Sequence, residues 1–376
     1  MTRCYLDWAS TAIPCEVKEG RTVYGNPSSP HAEGRLAKEA LEEARARCAK
    51  VLGVKSERLY FTSGGTESNA IVLYSLLQKK SKGRLLYSAI EHPSVRENCL
   101  RLKRLGLPTA EIGVEKCGLV SEDTLARALE KYPDTRFAAV MGVNNETGCL
   151  MDIKALVSRV RANGSSIHFH SDLVQALGKE PLDISAWDLD SASFSAHKLG
   201  GPRGVGLLYL KKPLEVLYTG GEQEGRVRPG TENVNGALAF ADILESRANA
   251  ETVNEEKNKA HSRFKHLIGE LKKINRCVLI PEDREEDDER FSPWILQLRF
   301  LGLPSMVMLR ALDDLGIAVS TGSACSSRSP ERPVLAAMGL DKSARLEGLR
   351  VSQGWSTEMP DLDALLTGIK KALSYL

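Results

Sequence analysis

The sequence predicts an α/β protein with a mostly parallel sheet covered on both faces by helices, followed by a smaller α+β unit. Three observations carry this. Short apolar runs alternate with amphipathic helical stretches through the first half of the chain, as in a parallel sheet wrapped by crossover helices. A long charged stretch, residues 236–274, then has the length to carry the chain from one domain to another. Beyond it, short strands and helices resume on a smaller scale.

Taken in order, residues 33–52 read as a helix with Leu36, Ala40, Leu41, Ala44, Cys48 and Leu52 on one stripe. "RLYFT" (58–62) reads as a strand, "SGGTES" as a turn and 67–79 as a helix. "RLLYSA" (84–89) is a strand before a helix at 93–105. "RFAAVMGV" (136–143), "SIHFHS" (166–171), "SASFSA" (191–196) and "VGLLYL" (205–210) are further strands. After the charged helix, "PEDREEDDER" (281–290) reads as a solvated loop. Strand 294–299, helix 304–314, strand 317–320, a small-residue loop and a last helix at 361–374 complete the chain. A division into residues 13–245, and residues 1–12 with 246–376, is expected.

Bulk properties exclude several functions. The 376 residues are enough for a substantial core and two domains. A net charge of +2 is too small to point to nucleic acid or a membrane surface. The N-terminus "MTRCYLDWAS" has no apolar secretory core, and no apolar run approaches the ~18 residues of a membrane span. Eight cysteines without a C-x-x-C pair imply free thiols in a reducing cytoplasm and no metal site. Seven of them read as small buried hydrophobes. Cys325, in "STGSACSS", has no apolar pattern to pack into.

In an open parallel sheet, ligands bind at the carboxyl ends of the strands. There the sequence places "TSGGTES", a glycine turn opening a helix and suited to phosphate. His92 follows in "IEHPS" and an amide pair in "NNETG". Asp172 closes "SIHFHS", with Gln175 three residues on; an aspartate there is costly unless paired, and a cationic ring nitrogen is a suitable partner. Lys198, in "SAHKLGGPRG", follows a buried strand beside Ser195 and His197, where partial desolvation lowers an amine's pKa and favours imine formation. An imine-forming lysine, an aspartate for a pyridinium nitrogen, a phosphate cradle and a histidine to stack on a ring are the parts of a pyridoxal phosphate site.

The chain resembles the NifS/IscS-like cysteine desulfurases of the class V aminotransferase family. The likeness runs through "YLDWAS", "YGNPSSPHAEGR", "FTSGGTESN", "EHPSV", "VNNETG", "HSDLVQ", "SFSAHKLGGPRG", "GGEQEGRVRPGTENV", "STGSACSS" and "LRVSQG". The resemblance implies the fold type I of pyridoxal phosphate-dependent transferases, with a mostly parallel seven-stranded sheet in the large domain and a catalytic-cysteine loop in the small one. It implies that Lys198 carries the cofactor, Asp172 pairs with its ring nitrogen, Gln175 bonds its phenolic oxygen, Asn145 also binds the cofactor, and His92 stacks on the ring and acts as a catalytic residue in proton transfer. Gly65, Thr66, Ser195 and His197 would hold the phosphate, joined by Thr231 from the other subunit of a homodimer. Asn145 and Arg350 would hold the carboxylate of L-cysteine, a role that also suits the bidentate guanidinium. Cys325 would take the substrate sulfur as a persulfide and pass it to an acceptor, such as an iron–sulfur scaffold or a tRNA-thiolation protein. Selenocysteine lyase, or another class V transaminase or lyase, is the alternative.

Overall fold

The computed structural model describes residues 3–15, 23–79, 83–162, 166–322 and 331–376. Its first elements are β1 (Cys4–Tyr5), α1 (Ala32–Leu52), β2 (Leu59–Thr62), α2 (Gly65–Ser75), β3 (Arg84–Ser88), α3 (Pro93–Arg104), β4 (Thr109–Ile112), α4 (Glu122–Lys131), β5 (Thr135–Ala139), α5 (Ile153–Arg161), β6 (His168–Asp172), β7 (Ser191–Ser195) and β8 (Gly206–Leu210). There follow α6 (Val234–Arg247), α7 (Ala250–Leu271), β9 (Cys277–Ile280), β10 (Ile295–Phe300), α8 (Ser305–Asp314), β11 (Ile317–Ala318), α9 (Pro333–Ala337), α10 (Lys342–Glu347), β12 (Gly348–Ser352) and α11 (Met359–Leu373).

The main sheet has seven strands in the order β2-β8-β7-β6-β5-β3-β4. β8 runs antiparallel to both β2 and β7, so the other six strands share one direction. Their side chains alternate between two cores, as the two-residue period of a strand requires. Leu86, Ala138, Phe169, Ala192 and Leu207 pack on one face with Leu41, Leu156 and Phe240 from α1, α5 and α6. Leu85, Phe137, Ala139 and Leu208 pack on the other with Ile71 and Val95 from α2 and α3. With both faces covered, β3 and β8 read as nearly continuous apolar runs, whereas β6 and β7 interleave buried His170, Ser171, Ser191 and Ser193 with their apolar residues. A third core joins Leu6, Leu298, Val351 and Leu365 around the antiparallel sheet β12-β10-β9.

The structure departs from the sequence reading in several places. The single helix expected over 236–274 is two helices. Asn249 takes an extended backbone, and its side chain accepts from Thr252 N at 2.9 Å, capping α7. α4 was not foreseen because its polar sequence "EDTLARALEK" buries only Thr124, Leu125 and Ala128. β4, β9, β12 and the nine-residue α5 also went unread; the strands are four or five residues long. The 281–290 stretch is not wholly solvated. Arg284 is buried, its guanidinium donates to the carbonyls of Thr147 and Ile295 at 3.1 and 3.2 Å, and it lies over the Phe291 ring.

One buried ion pair fixes the segment after β8. Arg45 of α1 donates two hydrogen bonds to Glu224, at 2.7 and 2.8 Å, and a third to Leu59 O at 2.9 Å. Glu224 also accepts from Phe61 N at 2.8 Å, which fastens it to β2. Removing Glu224 leaves the buried Arg45 guanidinium with only the half-exposed Glu42, at 3.1 and 3.2 Å, and the Leu59 carbonyl. Glu224→Ala is therefore expected to cost about 3–5 kcal/mol of stability, read as a lower urea midpoint. Replacing both residues, Arg45→Met with Glu224→Leu, should cost much less. Equal losses would contradict the argument.

Candidate active site

The carboxyl ends of β2, β3, β6 and β7 meet the N-terminal segment and β12 at a cavity of about 270 Å³. All the sequence-predicted site residues line it except Thr231, which is exposed on the surface outside it, and Cys325, which lies outside the described residues. Gly322, the last described residue before the cysteine loop, is on the cavity wall.

Lys198 ends a single helical turn, Ala196–Lys198, that follows β7 directly. Its Nζ donates to Ala9 O at 2.6 Å and Ser10 O at 2.7 Å. Burial first, then the positive charges of Arg350 and Lys179, lower its pKa to about 7, against the opposing pull of Asp7 and Asp172. An amine in this state is substantially neutral near physiological pH, as imine formation requires.

Asp172 closes β6 and is buried without a cationic partner of its own. Asn69 of α2 donates to its Oδ2 at 2.8 Å, and Val174 N donates to Oδ1 at 3.0 Å. The Asn69 amide also donates to Ser94 Oγ at 2.8 Å. Ser94 in turn faces His92, the N-cap of α3, through Oγ at 2.8 Å and N–H at 3.1 Å, both to Nδ1. With Nδ1 accepting from a backbone N–H, the neutral ring carries its proton on Nε2. Burial lowers the His92 pKa and outweighs the pull of Asp172. Gln175 donates to Ala9 O at 2.8 Å and accepts from the fully buried Lys179 at 3.3 Å. Lys179 itself is lowered to about 8 by burial.

The start of α2 faces the same cavity. Gly64 caps the helix with φ 149, a region that favours glycine, and offers no side chain to the free N–H groups of the first turn. Across from it, a Cβ on Gly206 would lie 2.5 Å from Gly64 Cα, so Gly206 is held to glycine by packing and Gly64 by its backbone conformation. Ser195 and His197 border this end, and His197 shares a 3.1 Å hydrogen bond with Thr11. A helix N-terminus with its donors unspent binds phosphate. A desolvated amine, a buried carboxylate that can accept a ring N–H, an imidazole beside it and a phosphate-binding end fit pyridoxal phosphate.

Arg350 of β12 is buried. Its Nη1 donates to Asn145 O at 2.7 Å and Gly322 O at 2.5 Å, and its Nη2 to Asp7 Oδ1 at 2.8 Å and Ser10 Oγ at 2.7 Å. Its Nε has no partner among the described residues.

Residues 4–365 match the family model described as aminotransferase class-V. The chain belongs to the class V aminotransferase family. Among its relatives, "Cysteine desulfurase IscS" of Dictyoglomus turgidum is 35% identical over 99% of this chain and 95% of its own. "Cysteine desulfurase IscS" of Methanosarcina thermophila is 34% identical over 99% of this chain and 92% of its own. A solved structure titled "NIFS-LIKE PROTEIN" superposes with a TM-score of 0.90 at 30% identity, covering 100% of both chains.

In this member of the class V aminotransferase family, the sequence does not single out Asn69, Lys179, Asp7 or Ser10. Asn69 ends the quoted run "FTSGGTESN", a position with no chemical signal until α2 is wound and its side chain faces β6. Lys179 reads as a surface lysine because only the fold shows its burial.

The lowered Lys198 pKa has a measurable consequence. The reactive form is the neutral amine, whose fraction rises with pH through about 7. Capture of pyridoxal phosphate by the cofactor-free protein under reducing conditions should therefore reach half its maximal rate near that pH. Arg350→Leu removes a positive neighbour, so its midpoint should move upward. A midpoint near pH ~10, that of an ordinary lysine, would refute the assignment.

Proposed function

We infer that this chain is a pyridoxal phosphate-dependent cysteine desulfurase. It takes sulfur from L-cysteine, releases L-alanine and carries the sulfur as a persulfide on Cys325. The observation that carries this reading is a single cavity that joins the desolvated Lys198 amine and the buried Asp172 carboxylate to the root of the cysteine loop at Gly322. The names of the full-length relatives support it.

Lys198, Asp172, Gln175 and His92 hold the ring of the cofactor, and Gly65, Thr66, Ser195 and His197 its phosphate. Bound there, pyridoxal phosphate supplies an electron sink for the bonds at the substrate Cα. Arg350 and Asn145 orient the carboxylate of L-cysteine. Lys198 Nζ, near neutral at working pH, takes the Cα proton. Cys325 lies three residues beyond Gly322, so covalent reach keeps it within about 11 Å of the cavity wall. Its thiolate attacks the substrate sulfur. The new S–S bond forms as the C–S bond breaks, and the electron pair stays on the three-carbon skeleton, which is protonated to alanine. The persulfide is a reversible state of the thiol, suited to transfer.

The reading extends to assembly. By its resemblance to the family motif, Thr231, exposed outside its own cavity, serves the phosphate site of the partner in an isologous homodimer. Residues 13–245 form the large domain, and residues 1–12 with 246–376 the small one. The sulfur acceptor is a protein, of the iron–sulfur scaffold or tRNA-thiolation kind, and the enzyme works in the cytoplasm. Free thiols support that compartment. Among the described residues no helix is long and apolar enough to cross a membrane.

Incubation with L-cysteine, assaying alanine and sulfide, tests the activity. Cys325→Ala should retain cofactor and its spectral response to cysteine while forming neither alanine nor persulfide at a useful rate. Borohydride reduction should leave the pyridoxyl group on Lys198. Near-normal desulfuration by Cys325→Ala would remove the thiol from the reaction. For the shared site, mixing Lys198→Ala with Thr231→Ala subunits should restore activity in hybrids.

A further inference from the structure

Five side chains connect the active-site edge of the main sheet to its opposite edge. β6 begins at His168 and ends at Asp172, roughly 13 Å away at the strand rise of ~3.3 Å per residue. Asp172 Oδ2 lies 2.8 Å from Asn69 Nδ2, and Asn69 Oδ1 lies 2.9 Å from His170 Nε2. His170 Nδ1 lies 2.8 Å from Ser191 Oγ, which lies 2.7 Å from His168 Nε2. Strand register sets His170 and Ser191 opposite each other. Phe137 of β5 stacks on both imidazoles, with ring centroids 5.1 and 6.3 Å apart, and fixes their planes. Asn69, His170 and Ser191 have no exposed surface.

Only one arrangement of protons satisfies this chain. The Asp172 carboxylate can only accept, so Asn69 turns its amino group toward it and its carbonyl toward His170. His170 Nε2 must then donate. Burial holds His170 and His168 neutral, with pKa values lowered to about 3. A neutral His170 accepts at Nδ1, so Ser191 donates there. The hydroxyl has one proton, so His168 donates to its oxygen through Nε2. Every donor points toward Asp172. Five matched polar groups at this depth are costly to assemble, and an apolar cluster would pack without that requirement.

We propose that His168, Ser191, His170 and Asn69 are positioning residues, a one-way hydrogen-bond relay that holds the Asp172 carboxylate aligned toward the ring nitrogen of the cofactor. Aligned hydrogen bonds in a low-dielectric interior polarise one another, so the far end of the relay acts on the carboxylate. The second proton of the Asn69 amino group goes to Ser94, whose hydroxyl donates to His92 Nδ1. One amide therefore orients both the carboxylate and the imidazole. The proposal rests on the pyridoxal phosphate reading above.

The test cuts the relay away from the cavity. Ser191→Ala removes the link two hydrogen bonds from Asp172, and Ser191→Thr restores the hydroxyl. At the far end, His168→Gln keeps a donor and His168→Leu removes it. In 15N-histidine-labelled full-length protein, with and without cofactor, wild-type His170 should carry its proton on Nε2 and accept at Nδ1. Ser191→Ala should release pyridoxal phosphate about fivefold more readily, the factor of one lost hydrogen bond. It should also shift the absorbance band of the bound cofactor and lower kcat with little change in KM for cysteine. Ser191→Thr should reverse all three. A His170 proton on Nδ1 would overturn the relay. So would a Ser191→Ala protein that is merely less heat-stable, with cofactor retention, band and kcat unchanged. If the wild type binds no pyridoxal phosphate, the functional reading fails, and the histidine spectra still decide the relay on their own.

Discussion

Lys198 is partly buried on the cavity wall, and its amine is held by two backbone carbonyls, those of Ala9 and Ser10. The rest of the site depends on this arrangement, because the two acceptors do not belong to the sheet that carries the lysine. The N-terminal segment is stitched to the small sheets: Leu6 N donates to Ala318 O at 2.9 Å, Ser352 N to Leu6 O at 2.8 Å, and Ala9 N to Ser352 Oγ at 2.9 Å. On its other side it returns to the lysine turn, where Ala12 N donates to His197 O at 3.1 Å. The lysine is enclosed and hydrogen-bonded only when the two parts of the chain meet. Gln175 donates to the same Ala9 carbonyl, so one peptide group places two side chains of the site.

The same enclosure accounts for the electrostatics. Lys198, Lys179 and Arg350 lie close enough to repel, and Asp7 and Asp172 offset them incompletely. The excess of positive charge, with the open start of α2, makes the cavity attractive to anions. A phosphorylated cofactor and an amino-acid carboxylate complete the charge balance that the protein leaves open. The repulsion has a use of its own: it helps hold the Lys198 amine near neutrality, where it exchanges protons readily.

Much of this was legible in the sequence, and the limits have physical reasons. Lys198, Asp172, His92 and Thr66 follow separate apolar runs, so the rule that ligands sit at the carboxyl ends of parallel strands brings them together before any coordinates are known. What the sequence could not show was direction and depth. β8 carries the same apolar signature as its parallel neighbours, and its reversed direction follows from the turn that leads into it. The break at Asn249 hides inside a stretch of good helix formers, because a cap is one side chain and a periodic pattern outweighs it. Asn69, His170 and Ser191 are common polar residues, and their pairing exists only through the register of β6 on β7. Lys179 is the same case in charge: its sequence neighbours are ordinary, and its burial comes from Trp294 and Trp355 on distant segments.

Arg350 shows how closely binding and the cysteine loop are tied. Its backbone exchanges two hydrogen bonds with Ser320, at 2.6 and 3.1 Å, and its side chain reaches Gly322 O two residues further on. The residue that would read the carboxylate is thus also the anchor for the root of the loop. The four bonds of its two terminal nitrogens are taken by Asp7, Ser10 and two carbonyls, so beyond the unpartnered Nε an arriving carboxylate gains only the difference between old and new partners. That difference is favourable chiefly where a charged acceptor replaces neutral ones, since charge-assisted hydrogen bonds are about twice as strong. The neutral partners are the carbonyls of Asn145 and Gly322 and the hydroxyl of Ser10.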